Sequence, residues 1–174
     1  EAFDLGEIVR EIQELSSHLL GARIALRAGI VVGCGVCADA GKVEQVLMNL
    51  VVNARDAMPQ GGNIWTSVRA EESTGTASVN EADVPSAPDG RTVVLEVRDD
   101  GMGMDSSTQQ RMFEPFFTTK ARGEGTGLGL STLYGIVKEG GGGIDVKSRP
   151  GQGTVFRITF PRVELASRAH APLP

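Results

Sequence analysis

The chain has 174 residues, a mass of 18.3 kDa and a formal net charge of −5, enough for one domain with a proper core and short for two. Its pI of about 5.1 provides no overall basic field, which excludes nucleic acid and an anionic membrane surface as expected partners. Hydrophobic residues (40%) and charged residues (22%) are at ordinary levels, whereas 23 glycines are an excess that needs a local explanation.

Asp4 and Glu7 make a D-x-x-E start resembling a capping box, and Leu5, Ile8, Val9, Ile12, Leu15 and Leu19 then recur at helical spacing. This predicts a helix over about 5–20. ARIALRA, 22–28, reads as a strand, and a second extended piece runs to about Cys37. The longest nearly apolar run, Gly29 to Ala38, is about half of the ~20 residues that a membrane-spanning helix needs. The opening EAFDLGEIV lacks the pattern of a signal peptide, so the expectation is a cytoplasmic chain without direct membrane contact. Cys34 and Cys37 form CGVC with no second pair or nearby His to complete a zinc site, and read as small apolar strand residues rather than a redox centre.

Asp39 is a plausible N-cap for the most informative element, a helix over about Gly41 to Met58. Val43, Val46, Leu47, Leu50, Val51, Ala54, Ala57 and Met58 form one wide stripe, and Gln45, Asn49, Asn53 and Asp56 lie together beside it. Each Asn inside a helix costs up to ~0.7 kcal/mol relative to Ala, so two of them one turn apart point to function over helix stability. NIWTSVRA, 63–70, alternates as a strand, with Ile64, Thr66 and Val68 on one side. The polar stretch 71–90 reads as an exposed loop insertion, and RTVVLEVRD returns to strand with Asp99 at its end. From Asp105 to Gly125 a short helical pattern, FEPFFTTK and a glycine-flanked ARGEG suggest a lid with aromatic anchors. A helix over about 127–139, a GGGG turn, strand 144–148, an RPGQG turn and strand 154–160 complete the domain. The remainder, 164–174, is an Ala- and Pro-rich tail or linker.

GEGTGLGLS, 123–131, concentrates glycines at the entrance of that last helix, where bare backbone and a helix N-terminus suit a phosphate. A Walker loop is excluded because Gly41-Lys42 is followed by Val43 and lacks the upstream glycine. The G-x-G-x-G spacing of Gly125, Gly127 and Gly129 also departs from the dinucleotide fingerprint.

NLVVNARDAM at 49–58, DDGMGM at 99–104, FEPFF at 113–117 and GTGLGLS at 125–131 together, in that order, resemble the N, first-glycine, F and second-glycine boxes of bacterial sensor histidine kinase ATP-binding domains. These belong with the gyrase, heat-shock chaperone and mismatch-repair ATPases. The resemblance runs from about Phe3 to Arg162 and implies an α+β two-layer sandwich, a mixed and mostly antiparallel sheet covered on one face by about three helices. The implied domain is 1–163, with a lid over 104–125 and ATP with Mg²⁺ as cofactors.

By that resemblance Asn53 would bind Mg²⁺ through its side-chain oxygen and Asn49 would sit one turn earlier, near the same phosphates. Asp99 would accept a hydrogen bond from the adenine amino group, with Gly101 and Gly103 turning the chain beside the base. The box from Gly125 through Thr126, Gly127, Leu128 and Gly129 to Leu130 would offer backbone N–H groups and a helix dipole to the phosphates. Lys120 and Arg122 would neutralise phosphate charge, and Asn49, Asn53 and Lys120 are the candidate catalytic residues.

Two departures bear on the chemistry. Where the related ATPases place a catalytic Glu four residues before the metal-binding Asn, this chain has Asn49, which cannot act as a general base at neutral pH. Where many sensor kinases carry Lys three residues after that Asn, this chain has Asp56, counted here among the nucleotide-site residues. Neither His18 nor His170 has the acidic neighbour of a phosphoacceptor. The expected activity is transfer of the γ-phosphoryl group of ATP to a histidine on a dimerisation domain of the same protein, with a response regulator or receiver domain downstream and this domain itself monomeric. The alternatives are a hydrolytic ATPase of the same fold and a nucleotide-sensing module without turnover.

Overall fold

The computed structural model describes residues 1–31, 33–72, 90–121 and 125–165, with the side chains of Ser17 and His18 excepted. The insertion expected over 71–90 is shorter, because β4 runs on through Glu71 and Glu72; its part over 73–89, Arg122, the tail from 166 onward with His170, and the His18 side chain are outside the described residues.

Chain order is β1 (Ala2–Asp4), α1 (Leu5–Leu20), β2 (Ile24–Ile30), β3 (Gly35–Cys37), α2 (Ala40–Asp56), β4 (Gly62–Glu72), β5 (Arg91–Asp99), α3 (Ser106–Arg111), α4 (Gly129–Glu139), β6 (Gly143–Ser148) and β7 (Thr154–Pro161). Both expected N-caps are formed: Asp4 accepts from the Gly6 N–H at 2.9 Å, and Asp39 accepts from the Lys42 N–H at 3.1 Å. The second helix starts and stops slightly earlier than its apolar stripe suggests, because Ala57 and Met58 turn toward Pro59. The last helix begins at Gly129 rather than 127, the first glycines being used in the approach to it.

Five strands form one sheet in the order β2-β4-β5-β7-β6; β2 pairs parallel with β4 and every other pair is antiparallel. A separate two-stranded ladder joins β1 to β3. The period-two alternation puts Ile64 and Val68, Val93, Leu95 and Val97, and Phe156, Ile158 and Phe160 on one face, and α1, α2 and α4 cover that face. Val43, Val46, Leu47, Leu50, Val51 and Ala54 of α2 are buried there, and full burial of a large aliphatic side chain is worth roughly 1.5 to 3 kcal/mol. The opposite face carries polar and charged side chains around a buried Val94: Arg98 lies over Trp65 at 5.1 Å, and Arg69 and Arg157 share Glu71. The architecture is the two-layer sandwich that the sequence implies.

Cys34 is buried and Cys37 exposed, both free thiols, with burial pushing the Cys34 thiol up. Along extended chain the two side chains cannot reach the ~4 Å Cβ separation of a disulfide, which supports the structural reading.

Ser16 on α1 is fully buried, and among the described residues its hydroxyl has no hydrogen-bond partner. Replacement by Ala removes an unsatisfied group and improves helix propensity, so Ser16→Ala is expected to stabilise the domain by about 1 kcal/mol. A higher urea midpoint at unchanged slope is the expected readout; an unchanged or lower midpoint would contradict it.

Candidate functional site

A cleft of about 1410 Å³ opens at one end of the sheet, where α2, the end of β5, the β5–α4 connection and the start of α4 converge. The polar line of α2 supplies one wall. Asn49, Asn53 and Asp56 all line the cleft, and Gln45, further up the same stripe, is exposed and outside it. The division of α2 into packed and polar faces thus aims its polar residues at one cavity.

Asp99, the last residue of β5, stands at the far end. It is only 5% exposed, and its Oδ1 accepts from the Gly101 N–H at 2.8 Å. Burial pushes its carboxyl above the ordinary carboxylate range, opposed by the backbone of Gly101 and Thr154 and reinforced by the charge of Asp100. Asp100 points away and has a different task. Its carboxylate accepts from the Asn63 N–H at 2.8 Å and from Asn63 Nδ2 at 2.9 Å, and those bonds hold it below the usual range. The pair ties the turn after β5 to β4.

Gly103 has φ of +67°, and a Cβ on it would overlap the Arg149 carbonyl oxygen. The turn is held further by Met102 N–H donating to the Ala57 carbonyl at 3.0 Å and Gly151 N–H to the Met102 carbonyl at 2.7 Å. Ser148 joins the same structure, its hydroxyl accepting from Met104 N–H at 2.8 Å and lying 2.9 Å from the Thr154 hydroxyl.

The connection after the turn begins with α3, capped by Asp105, and is then anchored by aromatic contacts. Phe113 meets Tyr134 of α4 at 5.3 Å between ring centres, and Arg111 lies over Phe117 at 4.5 Å. The third expected anchor is different: the Phe116 ring is 75% exposed. Its backbone does the holding, at a positive φ of 67°, through an N–H donated to the Gly127 carbonyl at 3.0 Å.

Gly127 answers the question of the glycines. A Cβ there would overlap the Phe116 backbone, so a bare residue is required for the connection to pass. Just beyond it α4 starts without any side-chain cap: Thr126 accepts from the Leu128 N–H at 3.3 Å, and the Ser131 hydroxyl donates back to the Leu128 carbonyl at 3.0 Å. Gly125, Thr126, Gly127, Gly129 and Leu130 line the cleft beside this uncapped helix end, a ready-made anion site; Gly101 and Leu128 are not among the lining residues. Asn49 meets it from α2, its Nδ2 donating to the Gly129 carbonyl at 3.5 Å.

Lys120 also reaches the cleft and pairs there with Asp56, which is bound on its other oxygen by Arg55 at 3.0 Å from Nε and 2.9 Å from Nη2. Burial pushes the Asp56 carboxyl up, but the hydrogen bonds and charges of Lys120 and Arg55 outweigh it and hold the group below the usual range. Thr154 and the apolar wall of Met58, Met104, Met112 and Phe156 went unnoticed in the sequence. Their signals there were membership in the α2 stripe for Met58, in the first glycine box for Met104, and in a strand or a short helical pattern for the others.

Among the described residues no group of three or more His, Cys, Asp and Glu could hold a metal. With Asp56 taken by two cations, the amide oxygens of Asn49 and Asn53 are the side-chain donors left on the cleft face of α2. Such a sparse set fits Mg²⁺ that arrives with phosphate oxygens and keeps its waters, and does not fit a metal caged by protein alone.

The family described as histidine kinase-, DNA gyrase B- and HSP90-like ATPase matches residues 38–164. Sensor kinase CckA of Brucella abortus (strain 2308) is 42% identical over 174 residues, covering 97% of this chain and 18% of that protein. The catalytic domain of histidine kinase ThkA, in a nucleotide-free form, superposes with a TM-score of 0.73 at 28% identity, covering 93% of this chain and 95% of that one. Full-length ShkA in complex with AMPPNP gives a TM-score of 0.72 at 25% identity, covering 99% of this chain and 32% of that one. The chain therefore belongs to the histidine kinase-, DNA gyrase B- and HSP90-like ATPase family, as the catalytic domain of a sensor histidine kinase. It spans less than a fifth of the length of CckA. Among the described residues no helix is long and apolar enough to cross a membrane.

Proposed function

We propose that the cleft binds Mg-ATP and that this chain presents the γ-phosphoryl group to a histidine on a dimerisation domain elsewhere in a longer cytoplasmic or membrane-anchored protein, with a response regulator or receiver domain taking it onward. The observation that carries the reading is the uncapped, glycine-lined start of α4 facing Asn49 and Asn53, with the buried Asp99 at the other end of the same cleft. One end suits phosphates and the other a purine amino group. ShkA, similar over nearly the whole chain, holds AMPPNP, which supports an adenine nucleotide here.

In this reading Asn53 supplies the protein oxygen to Mg²⁺, which when bound neutralises charge on the phosphate oxygens. The first turn of α4 with Gly125, Gly127 and Gly129 orients the phosphate chain, and Lys120 adds a cation. Gly101 and Gly103 shape the base end, the stretch 104–125 closes over the nucleotide, and 1–163 is the functional unit. The contribution of this chain is positioning and charge stabilisation. Hydrolysis is disfavoured because Asn49 stands where a water-activating carboxylate would be needed.

The test is calorimetric titration with ATP and GTP, with and without Mg²⁺, followed by addition of a histidine-bearing dimerisation domain from the same protein. Adenine-selective, Mg²⁺-dependent binding and an acid-labile phosphoprotein are expected. Free phosphate without a phosphoprotein would favour the hydrolytic reading, and binding with neither product the sensing one.

A pH dependence follows from Asp99. Its carboxylate is the acceptor for the base, so protonation removes the charge that strengthens the bond and can turn a donor toward the amino group, and its raised pKa makes ATP affinity begin to fall above the ordinary carboxylate range as pH drops. Stability moves the other way: ionising a buried group costs the fold, and that cost is relieved on acidification. A plot of Kd against pH checks the sign, and constant affinity from neutral pH down to the ordinary carboxylate range would contradict it.

A further inference from the structure

Asp56 lines the cleft and pairs with Lys120, whose stem lies against Gly125, so a bare carboxylate there would repel the phosphates of a nucleotide. Its bonds show why it does not act as one. Oδ1 is filled by the Arg55 fork and Oδ2 by the Lys120 ammonium, so both oxygens are committed to cations. The three groups together carry a net charge of +1, and the Lys120 ammonium has three donors of which Asp56 takes one.

Lys120 comes from the connection between α3 and α4 and Asp56 from the end of α2, elements joined here by this ion pair across the cleft. A lysine side chain left to itself carries large rotamer freedom and a strongly hydrated head, and would spend much of its time in solvent. We infer that Asp56 is a positioning residue: it holds Lys120 over the phosphate end of the cleft with two N–H donors left for phosphate oxygens, and Arg55 cancels the charge that Asp56 would otherwise turn on the nucleotide. This rests on the reading of the cleft as an Mg-ATP site and assigns Asp56 to the lysine instead of to the nucleotide or the metal.

The inference predicts coupling. Asp56→Asn keeps the shape and releases Lys120, and the affinity of the chain for Mg-ATP is expected to fall about fivefold, the size of a part-exposed pair of roughly 1 kcal/mol. Asp56→Glu restores the charge and most of the affinity. In a Lys120→Met background, Asp56→Asn has no further weakening effect. The Lys120 ammonium resonance, slowed in exchange by its partner in the ligand-free chain, is expected to vanish in Asp56→Asn. Unchanged or tighter binding by Asp56→Asn, or an equal loss in the Lys120→Met background, would overturn the inference. Failure of the nucleotide reading looks different: wild type then shows no adenine-selective binding, or Asp99→Asn leaves it intact.

Discussion

Asp99→Asn is expected to weaken ATP binding by roughly ten- to a hundredfold, the worth of one charge-assisted hydrogen bond of about 1.5 to 3 kcal/mol. Asn fills the same space and its carbonyl can still accept from the Gly101 N–H that now holds Oδ1 at 2.8 Å. The amide then turns its NH₂ toward the cleft, where two donors face each other if the base presents an amino group. Stability should not suffer, because the substitution removes a buried charge whose pKa is raised chiefly by burial. Calorimetry for ATP, together with a denaturation curve, separates the two effects. Retention of wild-type affinity would remove Asp99 from the site.

The second large effect falls on stability. Gly103→Ala is expected to cost about 3 kcal/mol, from a left-handed backbone penalty of roughly 1 to 2 kcal/mol and an overlap of the kind that costs about 1 to 3 kcal/mol. The overlap is with the Arg149 carbonyl oxygen, part of the backbone and unable to swing aside. The melting temperature should drop by about 6 to 12 °C for a domain of this size. Gly135→Ala is the control. It lies inside α4 with open space where a Cβ would go, and there Ala is expected to stabilise by up to about 1 kcal/mol. Equal effects of the two substitutions would mean that backbone geometry at 103 is not the constraint.

Local signals made most of this fold legible. Asp39 before a long apolar stripe located α2, the alternation of Ile64, Thr66 and Val68 located β4, and glycine clusters located the turns. The β1–β3 ladder was not legible, since three-residue strands are too short to show alternation. For the site, Asn49, Asn53, Asp99 and the glycines before α4 could be proposed because each box is contiguous; of the proposed residues that the structure describes, which leaves out Arg122, all but Gly101 and Leu128 line the cleft. What stayed hidden were the pairs that close it. Asn63 with Asp100, Ser148 with Met104, and Asp56 with Lys120 link distant parts of the chain, and no periodicity within a window reports them. Phe116 differs for a related reason: a hydrophobic anchor of the lid is expected there, whereas the residue is 75% exposed and holds a positive φ that no sequence pattern reports.

The sheet order has a consequence for how the domain is made. β7 is the last strand in sequence yet lies between β5 and β6, with Thr154 opposite Asp99. A chain growing from its N-terminus would have Asn49, Asn53 and Asp99 in place long before the strand that seals the sheet beside them. Until β7 inserts, β6 lacks its one sheet neighbour among the described residues and β5 keeps an open edge. In the proposed reading ATP binds only the finished sheet and so would stabilise it by mass action, without acting on a chain whose β7 is not yet in place.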